Sequence, residues 1–136
     1  MLGREQNALV SYVAALAINP NSVHAHLGRG AIHQKRKEYC NALVDYSRSY
    51  QSEARNPRLL ADRLYCALKT WNWVESREVF VTMRLVLDQA ISIGNPYPLL
   101  MGVDEPMLHL RASELHAREQ GYNVDSPFVD PKQGLR

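Results

Sequence analysis

The sequence predicts an all-α fold in which antiparallel helix pairs stack side by side, and three observations agree on it. Asn7-Ala8-Leu9-Val10 recurs 34 residues later as Asn41-Ala42-Leu43-Val44. The same shift of 34 residues, which we call the repeat offset, relates Tyr12 to Tyr46. Apolar residues recur at helical spacing through most of the chain, and no stretch alternates apolar and polar residues as a strand does. A fixed period in the thirties is typical of an α-solenoid, so we expect about five to six helices in a right-handed superhelix.

The first helix is expected over residues 5–18, where one helical face is formed by Ala8, Leu9, Tyr12, Val13 and Leu16. Asn19-Pro20-Asn21 ends this helix, because a residue that precedes proline avoids helical geometry. Ser22 is then placed as the N-cap of a second helix. In that helix Gly30 is the small residue that lets a paired helix approach closely.

The pattern continues to residue 93. A turn at residues 35–38 leads into a third helix, whose apolar face consists of Tyr39, Ala42, Leu43, Tyr46 and Tyr50. Asn56-Pro57 breaks the chain again, and the next helix carries the apolar residues Leu59, Leu60, Leu64, Ala67 and Leu68. That helix ends near Trp71-Asn72-Trp73, and residues 74–92 are predicted to form one long helix.

Beyond Ile93 the pattern changes. Asn95-Pro96-Tyr97-Pro98 predicts an extended loop, and Asp104 predicts the cap of a final helix with Pro106 in its first turn and Gly121 as its stop. The expected organisation is helical repeats over 1–93 (a half repeat 5–20, a repeat 22–56 and a degenerate repeat 57–93), a loop plus capping helix over 94–120, and a flexible C-terminal tail over 121–136.

Length and charge exclude several classes of function. The 136 residues suit one domain, and 16 basic against 14 acidic residues leave a formal charge of +2. This balance gives no reason to expect a nucleic acid or an anionic membrane as partner. The two cysteines, Cys40 and Cys66, suit a reduced compartment, and no apolar run is long enough to span a bilayer or to act as a signal peptide. We therefore expect a cytoplasmic protein.

Residues 5–57 resemble tetratricopeptide repeats. The closing half of that motif is matched by Ala8 and Tyr12 followed by Pro20, and again by Ala42 and Tyr46. In the first helix of the motif the match is partial, since Gly30 keeps the small residue but the larger positions hold His26, Arg29 and His33.

Residues 59–120 resemble the C-terminal repeat and linker region of O-linked N-acetylglucosamine transferase-like protein glycosyltransferases. The resemblance is carried by the run Leu64-x-Cys66-Ala67-Leu68, by Trp73, by the run from Gly94 to Leu100, and by Asp104-Glu105-Pro106. In that family the segment leads into a nucleotide-sugar domain. Gly121-Tyr122 echoes the start of that domain, but the Ser, Phe and His that should follow do not appear at the right offsets.

Nothing in the sequence resembles a Gly-rich phosphate loop. We therefore expect a non-catalytic module that needs no cofactor and mediates protein–protein contact. The alternative is that the chain is the N-terminal, non-catalytic portion of a split or truncated protein O-glycosyltransferase.

The repeat resemblance implies that a peptide or partner protein binds on the concave side, which the first helix of each repeat lines. The residues predicted to form this groove are His24, Leu27, Gly28, Ala31, Gln34, Lys35, Asp62, Arg63, Cys66 and Lys69. Leu27 and Ala31 stand where peptide-clamping repeats carry Lys and Asn, and Gly28 and Asp62 stand where the transferases carry an asparagine ladder. Neither device is intact, so a face that merely contacts water remains the alternative.

Other candidate groups have ordinary interpretations. His26, His33 and Cys40 are seven residues apart, as are His109 and His116, and that spacing is too long for one metal ion on a helix. We therefore expect no metal. Cys40 and Cys66 are expected to be buried thiols, and Trp71 and Trp73 are expected to close the end of the core.

The N-terminal half repeat predicts an interaction. Residues 5–18 form the second helix of a pair without its first, which leaves Leu9, Val13 and Leu16 half open. We expect the missing surface to come from another protomer, which would make a homo-oligomer, from a swapped helix, or from an upstream segment.

Overall fold

The computed structural model describes residues 2–52, 55–102 and 104–122, and in these ranges the chain forms seven α-helices and no strand. The helices are α1 (Leu2–Ile18), α2 (Val23–Lys35), α3 (Tyr39–Ser52), α4 (Arg58–Lys69), α5 (Trp73–Asp88), α6 (Tyr97–Gly102) and α7 (Pro106–Glu119). The all-helical prediction is confirmed. The predicted tail lies outside the described residues from Asn123 onwards.

The predicted count of five to six helices is too low, because α6 occupies a segment for which the sequence predicts a loop. Pro98 is the second residue of α6, and the first turn of a helix tolerates proline since its N–H groups have no partner within the helix. The Asn95 side chain accepts a hydrogen bond from the Tyr97 N–H at 3.0 Å and so caps this turn. Two prolines here start a helix rather than prevent one.

The helix boundaries themselves repeat. Helix α2 ends at Lys35 and α4 ends at Lys69, which are related by the repeat offset. Helix α3 begins at Tyr39 and α5 begins at Trp73, and the same offset separates these two residues. The internal copy in the sequence is therefore also a copy in local structure.

The helix ends show why the boundaries recur. After α2 and α4, the residues Lys37 and Trp71 adopt left-handed φ values of 63° and 56°. The next N–H in each case bonds back to the helix, from Glu38 to the His33 carbonyl at 2.8 Å and from Asn72 to the Ala67 carbonyl at 2.9 Å. This is the Schellman arrangement, which satisfies the last carbonyls of a helix. Helices α5 and α7 end in the same way, with Ala90 and Gly121 in the left-handed position.

The helix starts use side-chain caps. Ser22 Oγ accepts a hydrogen bond from the Ala25 N–H at 3.4 Å, which confirms the predicted N-cap of α2. Asn72 Oδ1 accepts from the Glu75 N–H at 3.1 Å at the start of α5.

Each helix from α1 to α5 packs against the next along the chain, while α6 packs on α4 and α7 on α5. Helix α4 thus lies at the centre, flanked by α3, α5 and α6. Its Leu60 and Leu64 are fully buried in one core cluster with Val79, Met83 and Leu87 of α5. This central position buries most of the circumference of α4.

Two glycines in α2 permit close helix approach. A Cβ added to Gly28 would lie 2.1 Å from Tyr12 Cζ, so the tyrosine ring of α1 rests directly on this glycine. A Cβ added to Gly30 would lie 3.1 Å from Tyr46 Cε1 of α3. The predicted role of Gly30 is therefore confirmed, and Gly28 plays a similar role toward α1.

Candidate functional site

The predicted groove residues of α2 lie along one side of the helix. His24, Gly28, Ala31 and Lys35 are spaced at i, i+4, i+7 and i+11, which places them in one row. His24, Ala31 and Lys35 are exposed, and Gly28 is half-buried beneath Tyr12. Lys35 pairs with Glu5 of α1.

Helix α4 carries the corresponding row, which contains Arg58, Asp62, Tyr65 and Lys69. Arg58 and Lys69 are exposed, and Asp62 and Tyr65 are half-buried. We call the two rows together the α2–α4 face, defined by His24, Gly28, Ala31, Lys35, Arg58, Asp62, Tyr65 and Lys69. Both helices pack on α3, whose Tyr46 hydroxyl donates to Gln34 Oε1 at 2.6 Å.

Three of the predicted groove residues belong to the packing instead of the surface. Cys66 is 0% exposed, and burial, helped by the nearby Asp62 carboxylate, raises the pKa of its thiol to about 12. Arg63 is 5% exposed, and Leu27 is half-buried against the core. Cys66 therefore presents no side-chain surface to a partner in this structure, and Arg63 presents almost none.

Arg63 connects three helices. Its Nη2 donates to Glu75 Oε1 of α5 at 2.5 Å, and its guanidinium lies 4.7 Å from the ring centroid of Tyr50 in α3. Glu75 also accepts from the Ser47 hydroxyl at 3.2 Å. Because the charge is paired and the ring covers it, this arginine can remain buried.

The surroundings of the Asp62 carboxylate differ from those of the other carboxylates that pack against the core. Burial raises the pKa of its carboxyl group. Within the ranges that the structure describes, its oxygens have neither a hydrogen bond nor a cation within salt-bridge distance. Asp62 and Cys66 also contribute, after burial itself, to a raised pKa of the Tyr46 hydroxyl.

Sequence reasoning missed a buried polar cluster on the side of α2 that contacts α3. Asp45 is 1% exposed and accepts hydrogen bonds from Arg29 Nη2 at 2.7 Å, from Arg29 Nε at 2.9 Å and from His26 Nδ1 at 2.9 Å. Burial acts to raise the pKa of Asp45, but the bonds from Arg29 and His26 outweigh burial and hold the pKa below its usual value.

The other nitrogen of His26, Nε2, lies 2.8 Å from the Pro20 carbonyl. Both ring nitrogens therefore lie within hydrogen-bond distance of an oxygen. The imidazole ring of His26 thus links Pro20, in the connection between α1 and α2, to Asp45 of α3. A signal was present in the sequence, since the resemblance to tetratricopeptide repeats leads one to expect large apolar residues where the chain has His26 and Arg29.

The expectations for Trp71, Trp73 and Cys40 are wrong. The indoles are 73% and 63% exposed and pack edge to face, with ring centroids 5.8 Å apart. Trp71 occupies the left-handed position after α4. Cys40 is exposed, because Ala42 and Leu43 occupy the buried side of α3, while the expectation that Cys66 is buried is confirmed.

A polar network joins α4, the segment after α5, and α7. Ser92 Oγ donates to Glu119 Oε2 at 2.8 Å, and Arg58 pairs with Glu119. His116 Nδ1 lies 3.8 Å from the same carboxylate. Since the carboxylate separates the hydroxyl from the imidazole, these groups do not form a nucleophile–base pair. In residues 2–52, 55–102 and 104–122, no three His, Cys, Asp or Glu side chains are grouped to hold a metal ion.

Helix α1 exposes an apolar face that we call the outer α1 face, formed by Val10, Val13, Ala14, Ala17 and Ile18. Val10, Val13 and Ile18 are 61%, 53% and 88% exposed. The positions related to this face by the repeat offset lie in α3 and hold Val44, Ser47, Arg48, Gln51 and Ser52, which are mostly polar. The outer α1 face is therefore more apolar than a solvent-facing repeat helix needs to be.

In comparisons with known protein families, with curated proteins and with solved structures, nothing matches this chain. Over the described residues, no helix is both long enough and apolar enough to cross a membrane.

Proposed function

We propose that this chain is a non-catalytic helical-repeat module of the tetratricopeptide type, which binds a peptide or partner protein on the α2–α4 face. In this proposal α2–α3 and α4–α5 are successive repeats of a right-handed superhelix, and α1 is the second helix of a preceding repeat. The observation that carries the proposal is the recurrence of helix boundaries at the repeat offset, together with left-handed end residues at Lys37 and Trp71. In arrays of this kind the first helices of the pairs form the ligand surface.

The composition of the α2–α4 face supports binding. It combines the small exposed side chain of Ala31 with a half-buried carboxylate at Asp62 and an exposed ammonium group at Lys69. Small side chains allow a peptide backbone to approach, and separated charges of opposite sign give it a direction. Polar groups placed in this way fix orientation in a binding site.

The test is affinity capture with the purified chain followed by mass spectrometry, run in parallel on the wild type and on two variants. Ala31→Glu adds a charge to the α2–α4 face, and Arg48→Glu changes an exposed residue of α3 outside that face. We expect one set of partners to be retained by the wild type and Arg48→Glu and lost with Ala31→Glu. Retention by all three proteins would contradict binding at this face.

We also propose that the outer α1 face is covered by a second copy of the chain. Between Gln6 and Val23 the sequence contains no charged residue, so two copies can bring these faces together without placing like charges side by side. The expected result is a concentration-dependent dimer. A tight dimer would need a larger apolar contact, since stable interfaces bury roughly 1,200 Å² or more.

The alternative proposal, that the chain is the non-catalytic portion of a split or truncated protein O-glycosyltransferase, is supported by the sequence resemblance of residues 59–120 alone. It predicts a different outcome of the same capture experiment. The partner would then be a polypeptide with a nucleotide-sugar domain, and the complex would transfer sugar to Ser or Thr side chains of proteins.

A further inference from the structure

Among the residues that the structure describes, none supplies a counter-charge to the half-buried carboxylate of Asp62 on the α2–α4 face. We propose that Asp62 receives a lysine or arginine side chain of the bound peptide, an inference that rests on the proposed function and specifies the chemistry of its ligand. It is carried by the groups that surround Asp62 and by the directions in which the nearby cations point.

The cations of the α2–α4 face are engaged elsewhere. Arg58, one turn before Asp62, pairs with Glu119 of α7. Lys69, two turns after it, has its ammonium group 5.5 Å from the ring centroid of Tyr65. Lys35 of α2 pairs with Glu5. In the part of the chain that the structure describes, no positive charge is thus directed at Asp62.

The neighbouring hydroxyl is also engaged. The hydroxyl of Tyr46, whose pKa the Asp62 carboxylate helps to raise after burial itself, donates to Gln34 Oε1 at 2.6 Å, so its proton is given to the amide and not to the carboxylate. By contrast, the other carboxylates held against the core are satisfied, since Asp45 is bound by Arg29 and His26, and Glu75 is bound by Arg63.

The repeat indicates that a carboxylate is not needed at this position for packing. One repeat offset before Asp62 the chain has Gly28, which α1 covers with the ring of Tyr12. One repeat offset after Tyr12 it has Tyr46. The repeat offset relates the pair Tyr12 and Gly28 to the pair Tyr46 and Asp62, and only the second pair contains a charge. A partly desolvated carboxylate without a partner is unfavourable in the free protein and favourable when a cation binds it.

Asp62→Asn should therefore have two effects of opposite sign. The free protein should become equally or more stable, because a neutral amide loses less hydration when half-buried than a carboxylate does. Affinity for a basic peptide should fall about tenfold or more, because a charge-assisted hydrogen bond is lost. A residue with a purely structural role would not separate stability from affinity in this way.

The experiment is a selection of random dodecapeptides displayed on phage, performed on the wild type, on Asp62→Asn and on Asp88→Asn. Asp88 is an exposed carboxylate of α5 and gives the same change of charge away from the α2–α4 face. We expect the wild type and Asp88→Asn to enrich peptides with Lys or Arg at one fixed position, and Asp62→Asn to lose that preference. Synthetic versions of the enriched peptides then give dissociation constants, and urea unfolding gives stability.

The possible failures are distinguishable. In one outcome the peptides bind at the α2–α4 face, because Ala31→Glu abolishes their binding, but they show no preference for Lys or Arg. This outcome would overturn the role of Asp62 and leave the proposed function standing. Equal affinities of a basic peptide for the wild type and Asp62→Asn would do the same. If no peptide is enriched, or if binding is unaffected by Ala31→Glu, the proposed function itself fails.

Discussion

Replacing Gly28 with alanine tests how α1 is attached to the rest of the molecule. The new Cβ would lie 2.1 Å from Tyr12 Cζ, 2.4 Å from its hydroxyl oxygen and 2.6 Å from Cε1. Carbon atoms in contact are about 3.5–4.0 Å apart, so the ring has to move by more than about 1 Å. Since α2 is the main packing partner of α1, displacement of Tyr12 should loosen the whole helix.

The magnitude follows from two opposing effects. Overpacking of this kind costs about 1–3 kcal/mol. A glycine-to-alanine change inside a helix contributes about 1 kcal/mol in the other direction. We expect Gly28→Ala to lower the free energy of unfolding by up to about 2 kcal/mol, which in urea lowers the midpoint by up to roughly 1 M.

The controls separate the clash from helix propensity. Gly3→Ala places a methyl group where no atom lies within 4 Å, so it should show the propensity effect alone. In a Tyr12→Ala background the clash is absent, and Gly28→Ala should then stabilise the protein. If Gly28→Ala has the same effect in both backgrounds, Tyr12 does not rest on Gly28 and α1 is attached in another way.

Three further predictions concern the helix end, the buried cluster and the exposed face. Ala90→Gly should stabilise the protein by about 1 kcal/mol in thermal or urea unfolding, because Ala90 has a left-handed φ of 58° that glycine adopts without strain. Asp45→Asn should destabilise it by about 3 kcal/mol, because Arg29 and His26 lose their buried partner. Because the pKa of Asp45 in the folded protein is held below its usual 3.8, the contribution of Asp45 to the free energy of unfolding should be complete above about pH 4. This contribution should disappear as the pH falls through the lower pKa of the folded state, so the free energies of unfolding of the wild type and Asp45→Asn should converge in acid. Val13→Glu should abolish concentration-dependent association in sedimentation or light scattering, and a wild type that stays monomeric at high concentration would rule out the proposed dimer.

Local rules account for most of the fold. The helix boundaries, the Ser22 cap and the close approach at Gly30 follow from periodicity, capping and side-chain size, which act within a few residues. Helix α6 is the exception, because a proline pair predicts a break, although Pro98 stands in the first turn, where it is tolerated.

The candidate site was less predictable, because exposure depends on which helices surround each position. Arg63 and Cys66 are close in sequence to the exposed row of α4, yet the flanking helices bury both of them. The cluster around Asp45 joins residues of two helices and the loop that precedes α2, and a helical period identifies none of these partners. Trp71 is exposed and has a left-handed backbone angle, which the sequence does not predict because tryptophan rarely adopts it.

The order in which the helices meet has a consequence for how the chain acquires its shape. From α1 to α5 each helix packs against the helix that precedes or follows it in the sequence, so each packing step closes only a short loop. Architectures with such local contacts fold fast and need few distant segments to find one another. A chain with this order of contacts can fold progressively during synthesis, because each helix from α2 to α5 packs on one that has already been made.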